Sequence, residues 1–255
     1  PKSARDYSRR LFDLSRETND PRARNMGLWT MASSDMSSWA YEEAIENGRE
    51  AYRSALSEVD GYIAHAALAG ALGLSGHTDE AVPMFQSVHD TLLERGMIIP
   101  ILMLGYVMGP ILVIGGDMAR GMAWQEEGLA RCEKFSCAAG VAYTEMMIGE
   151  TYTQFVVAEE KPPTAVMLKN FWFLLRTLPR AKSLARKHLN RALTYFRHID
   201  APGSIAMVLF DLALIDLKQN RKETARQQLD EALTLAQSVE ADALADKISA
   251  ALGKI

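Results

Sequence analysis

The sequence predicts an all-α fold, a right-handed superhelix of antiparallel helix pairs closed by a C-terminal capping helix. Three observations carry that prediction. Small residues recur at a near-constant spacing: Ala4, Ala44, Ala81, Gly121, Ala185 and Ala225, with gaps of 40, 37, 40, 64 and 40 residues. A period of about 34–47 residues is that of stacked two-helix units, and a small side chain at a fixed place lets paired helices approach closely. Apolar residues follow the small one at helical spacing, Leu189 and Ala192 after Ala185, Leu229 and Ala232 after Ala225, so the repeated face is a helix face. Turn residues such as Ser75-Gly76, Gly115-Gly116-Asp117 and Asp200-Ala201-Pro202 separate the apolar runs. Together these give about five repeats and a cap, read as one domain over residues 1–255.

The elements follow in order. Ser3–Thr18 is amphipathic, with Tyr7, Leu11 and Leu14 on one face, and reads as a second helix whose first is missing. Proline is favoured in a first helical turn, so Asp20-Pro21 opens a helix to about Ser33, and Ser37–Leu56 follows. Val59–Leu74 ends at Ser75-Gly76, and its partner runs to Arg95 before Gly96, with Thr78 the expected N-cap. Ile98–Ile114 returns through Met118–Lys134. Cys137–Ala158 carries Ile148-Gly149-x-x-Tyr152, which matches the Leu-Gly-x-x-Tyr signature of a tetratricopeptide first helix. The expected partner is delayed. Glu159-Glu160-Lys161-Pro162-Pro163 breaks the chain, Thr164–Leu178 forms a short apolar helix, and Pro179 starts the second helix to His198. The insertion, about residues 158–178, accounts for roughly 24 residues of the 64-residue gap. Ala201–Gln219 and Lys222–Val239 make the last pair, and Ala241–Leu252 caps the array.

Composition narrows the function classes. Apolar residues make up 48% and charged residues 24% of 255, and the net charge is −4. No global field draws such a chain to nucleic acid or to an anionic membrane. Met97–Gly116 is free of charge over twenty residues, long enough for a span, but Pro100, Pro110 and four glycines interrupt it and it falls where a buried helix is due. Cys132 and Cys137 are too few for a disulfide framework and lack the second pair a zinc site needs. They read as reduced thiols in a cytoplasmic protein.

Two places offer binding. In the repeat register the inner faces of the first helices carry Met103, Tyr106, Tyr143, Met146, Met207 and Phe210, an apolar, Met-rich groove. Only Lys218 is cationic there, which argues against a clamp for a peptide carboxylate. The other reading is that these residues are ordinary core. The second place is a basic run, Lys161, Lys169, Arg176, Arg180, Lys182, Arg186, Lys187 and Arg191, without an Asp or Glu between Lys161 and Arg191 and interleaved with Phe171, Trp172 and Phe173. It fits an acidic partner domain, a nucleotide phosphate or nucleic acid, or else is a solvated face offset by neighbours such as Asp211, Asp230 and Glu231. Phosphate-binding Gly loops, H-E-x-x-H and G-x-S-x-G are absent, and the five histidines are scattered. No catalytic residue, cofactor or metal is expected.

The stretch Leu168-Lys169-Asn170-Phe171-Trp172-Phe173-Leu174-Leu175-Arg176-Thr177-Leu178-Pro179-Arg180-Ala181, with Ala185-Arg186-Lys187-His188-Leu189-Asn190-Arg191-Ala192 and Ala225-Arg226-Gln227-Gln228-Leu229, resembles the C-terminal tetratricopeptide-like regions of multidomain class III adenylate/guanylate cyclases. Leu72-Gly73-Leu74 with Asp79-Glu80-Ala81 looks like another such repeat. The resemblance implies a non-enzymatic interaction and regulatory region cut from a larger cyclase–ATPase protein. Its partner would be another protein or the attached catalytic or ATPase domain. A free-standing adaptor for an apolar peptide or small ligand is the alternative; neither nucleic acid nor a membrane is expected.

Overall fold

The computed structural model describes residues 4–37, 40–158 and 162–255, without the side chains at 4, 37, 99, 100 and 103–105. These form thirteen α-helices and, among the described residues, no strand. The chain divides into two compact units, Pro1–Gly115 and Gly116–Ile255.

The first unit holds α1 (Ala4–Thr18), α2 (Pro21–Ser37), α3 (Tyr41–Arg53), α4 (Glu58–Leu74), α5 (Thr78–Glu94) and α6 (Ile98–Ile114). Each helix packs on the next, and α2 on α4 and α4 on α6, so the first helices of successive pairs form a continuous layer. The recurring small residue is the fourth of its helix, Ala44 in α3 and Ala81 in α5, and both are fully buried. Leu68, Leu72, Ala81 and Ile111 form one buried cluster and Ala66, Val88, Leu92 and Ile101 another. At Gly73 a Cβ would lie 2.5 Å from Ile111 Cγ1, so glycine there sets how closely α4 and α6 approach.

The second unit holds α7 (Met118–Lys134), α8 (Ala138–Val157), α9 (Thr164–Lys169), α10 (Phe171–His198), α11 (Pro202–Leu217), α12 (Lys222–Ser238) and α13 (Asp242–Leu252). Helix α8 packs on α7, α10 and α11, and α11 on α12, which packs on α13. Gly121 and Ala225 are again the fourth residues of α7 and α12 and are buried. The helices thus pack in adjacent pairs, as in an α-solenoid.

One device makes most of the turns. A residue one to three places past the helix is left-handed, and the next N–H bonds the carbonyl five places back: Asn19 with Asp20 to Ser15 (3.0 Å), Gly76 with His77 to Leu72 (2.8 Å), Ser136 with Cys137 to Cys132 (2.9 Å), Asp200 with Ala201 to Phe196 (3.0 Å), Asn220 with Arg221 to Asp216 (3.0 Å) and Glu240 with Ala241 to Ala236 (2.9 Å). This is the Schellman closure, which satisfies the helix's last carbonyls and reverses the chain within two residues.

Three expectations are corrected. Thr78 is not a cap: it is the first residue of α5, and the capping position is His77, which makes no side-chain cap bond. The apolar inserted helix ends early, at Lys169. Pro179 does not start a helix but lies inside α10. Pro179 and Leu175, whose carbonyl loses its helical partner, are both on the exposed side, while buried Thr177 and Ala181 hold the helix on its packed side. By the register set in α3, α5, α7 and α12, Ala185 would be the fourth residue of a helix beginning at Lys182; α10 begins eleven residues earlier, at Phe171.

Candidate interaction surface

The early start of α10 produces the most unusual surface on the second unit. Around the helix, Thr177 and Ala181 face inward and are buried. The opposite stripe is also apolar: Phe171, Trp172, Leu175 and Leu178 are all at least half exposed, Trp172 at 69%. Helix α9 adds Met167 and Leu168, the latter 71% exposed. Single exposed apolar side chains are ordinary, but six within twelve residues are not.

The backbone beneath them is held firmly. Asn170, 2% exposed, sits at the corner between α9 and α10. Its Nδ2 donates to the Gly116 carbonyl (2.9 Å) and the Val166 carbonyl (2.8 Å), and its Oδ1 accepts from the Ala119 N–H (3.3 Å). Lys169 pairs with Asp117 at 3.2 Å. Gly116 has φ +78°, and a Cβ there would come within 3.0 Å of Val166 Cγ2, so only glycine accommodates both the turn and the close approach of α9. Phe173, on the inner side, meets Phe155 of α8 edge to face at 6.1 Å. The corner is therefore built into the second unit and carries its apolar stripe outward.

The basic run splits in two. Arg186 and Arg191 are bound to carboxylates of other helices. Arg186 and Arg221 both reach Asp216, which is fully buried. Arg191 bridges Glu145 and Glu133, each at 2.5 Å, and His188 Nδ1 lies 2.6 Å from the second Glu145 oxygen, a bond that places a proton on Nδ1. Glu145 is fully buried, so this network ties α10 to α8 and α7. The bonds to Glu133 and Glu145 hold the Arg191 guanidinium more strongly protonated than usual. Arg197 pairs with Glu231 at 3.0 Å. Arg176, Arg180, Lys182 and Lys187, by contrast, are exposed and form no salt bridge among the described residues. Lys161 lies outside the described residues.

The groove positions are placed differently from one another. Met146 is buried. Tyr143, Met207, Phe210 and Tyr106 are half-buried, and Tyr143 meets buried Phe196 edge to face at 5.1 Å. The side chain of Met103 lies outside the described residues. Beside Tyr143 and Phe210 along α8 and α11 stand two carboxyls, Glu150 and Asp211. Burial, then the neighbouring Glu150, pushes the Asp211 carboxyl well above the usual range. Burial also raises Glu150, against the pull of Lys247 on α13, whose ammonium burial in turn makes easier to deprotonate. Each of these two buried carboxyls makes ionisation of the other harder. Glu150 and Asp211 are 61 residues apart in sequence, so nothing local pairs them there. Among the described residues no three His, Cys, Asp or Glu side chains are grouped to hold a metal ion. Both thiols are free; Cys132 is buried, and burial, then the neighbouring Cys137, raises its pKa.

Neither known protein families nor curated proteins match. No family model fits the chain and no curated protein aligns with it significantly. No helix among the described residues is long and apolar enough to cross a membrane.

Proposed function

We propose that the chain is a non-enzymatic, tetratricopeptide-like interaction and regulatory domain, a right-handed superhelix of about five repeats, belonging to a larger signalling protein of the adenylate cyclase or ATPase type. The observation that carries the interaction reading is the apolar stripe of α9 and α10 on a backbone fixed by Asn170. A contiguous exposed apolar stripe on a fixed backbone is the mark of an interaction site. The parent class rests on the sequence resemblance. In mechanism, a partner on the stripe stabilises the α9–α10 corner, and the Glu145 and Asp216 ion pairs carry the consequence into α8, α11 and α12.

The test is Leu168→Glu with Trp172→Glu in the longer protein. Both positions are exposed, so helicity and melting should be unchanged while control of the attached catalytic domain is lost; unaltered control overturns the reading. Nucleotide cyclase activity in the 255-residue chain alone would overturn the non-enzymatic part.

A second reading is favoured by half-buried Tyr143, Met207 and Phe210: an apolar peptide or small ligand lies along α8 and α11. Phe210→Glu then abolishes binding with helicity intact. Unfolding would instead assign these residues to the core.

A further inference from the structure

We propose that the α9–α10 corner is a peripheral membrane-binding element that takes an anionic lipid surface. The inference rests on the interaction reading above and names the partner. Three observations on the corner favour lipid over other occupants. Leu168 and Trp172 are 71% and 69% exposed and so stand proud of the surface. A protein partner must offer matching pockets for protruding side chains, whereas the acyl boundary conforms to any relief. Next to the apolar stripe lie Arg176, Arg180 and Lys182, exposed and without salt bridges among the described residues, where a bilayer places its phosphates. Their stems can lie along the acyl boundary while the charged heads stay in water. No acidic residue stands between Lys161 and Ile199, so nothing in the segment opposes an anionic headgroup layer. The same charges argue against a second copy of the chain, since a two-fold pairing of this stripe would bring like charges together.

The net charge of −4 does not decide the matter. At physiological ionic strength charges beyond about 8 Å are largely screened, and only the local field of the corner reaches the lipid. Nor does the lack of a spanning helix, because an interfacial element lies in the plane of the headgroups. Tryptophan with leucine and phenylalanine beside arginine and lysine is the composition of such elements. The anchoring by Asn170 keeps the stripe's backbone formed before contact, so binding bears little backbone ordering cost there.

The test is co-sedimentation of the 255-residue chain with vesicles of phosphatidylcholine, with and without about a third phosphatidylserine. The chain should sediment with the anionic vesicles and be released by salt. Arg176→Glu with Arg180→Glu should lower partitioning at least about 25-fold, at about fivefold per charge. Leu168→Glu with Trp172→Glu should abolish it, with circular dichroism unchanged. No sedimentation with anionic vesicles overturns the proposal, as does equal binding by the Leu168/Trp172 variant. If vesicles fail while that variant still releases control of an attached catalytic domain, the surface belongs to a protein partner: the membrane inference falls and the interaction reading stands.

Discussion

The two halves of α10 are chemically alike and structurally opposite. From Ala181 to His198 the helix buries Ala181, Ala185, Leu189, Ala192 and Phe196 against its neighbours, and Arg186, Arg191 and Arg197 are engaged by carboxylates of α7, α8, α11 and α12. From Phe171 to Arg180 apolar residues are just as dense, but most face outward and the cations have no such partners. The C-terminal half obeys the repeat; the N-terminal half is added to it. What separates structure from function here is therefore the presence of a facing helix, not composition.

The comparison can be broken most sharply by truncating one leucine in each half. Leu189 is fully buried beneath Gly149, where a Cβ would come within 2.7 Å of its Cδ2. Leu189→Ala should cost about 2–5 kcal/mol in chemical denaturation. Leu175→Ala, in the exposed half, should stay within about 0.5 kcal/mol. Equal losses would show that the outward stripe is part of the packing.

An intermediate effect is expected from Asp211. Its carboxyl titrates above its unfolded value because burial, and then Glu150, disfavour the charge. A carboxyl raised on folding binds more protons in the native state, so the stability it confers is fully present below the unfolded value, about pH 4, and is lost as pH rises through the folded value. Melting of the protein should fall with pH over that window, and Asp211→Asn should flatten the fall and raise melting at alkaline pH. A steeper fall in the variant would contradict the assignment.

The smallest effect is at a turn. Ser136 adopts φ +53°, a region costly for residues with a Cβ. Ser136→Gly should stabilise by up to about 1 kcal/mol in thermal melting, since Gly occupies that conformation freely.

Most of the helical order is legible in the sequence because turns and small residues act locally. Ile98–Ile114 and Met118–Lys134 coincide with α6 and α7, and Asp200-Ala201-Pro202 with a real reversal. Errors arise where a distant contact overrules a local rule. Pro179 should begin a helix, yet the inward pull of Thr177 and Ala181 continues α10 through it. Asn170 ends α9 through bonds to Gly116 and Ala119, some fifty residues away in sequence. The basic run is continuous along the chain but divided in space, because Asp216 and Glu145 come from other helices. The resemblance to cyclase-associated repeats bears on function only, and it is the experiments above that test it.

The central claim, that the α9–α10 corner is formed without a partner while its apolar stripe faces outward, is tested most directly by amide hydrogen exchange over residues 174–178 of the isolated chain. Slow exchange is expected, protected at least about 100-fold and reduced toward the unprotected rate in Asn170→Ala, which removes the bonds to Gly116, Val166 and Ala119. Exchange of the native chain at the unprotected rate would contradict it.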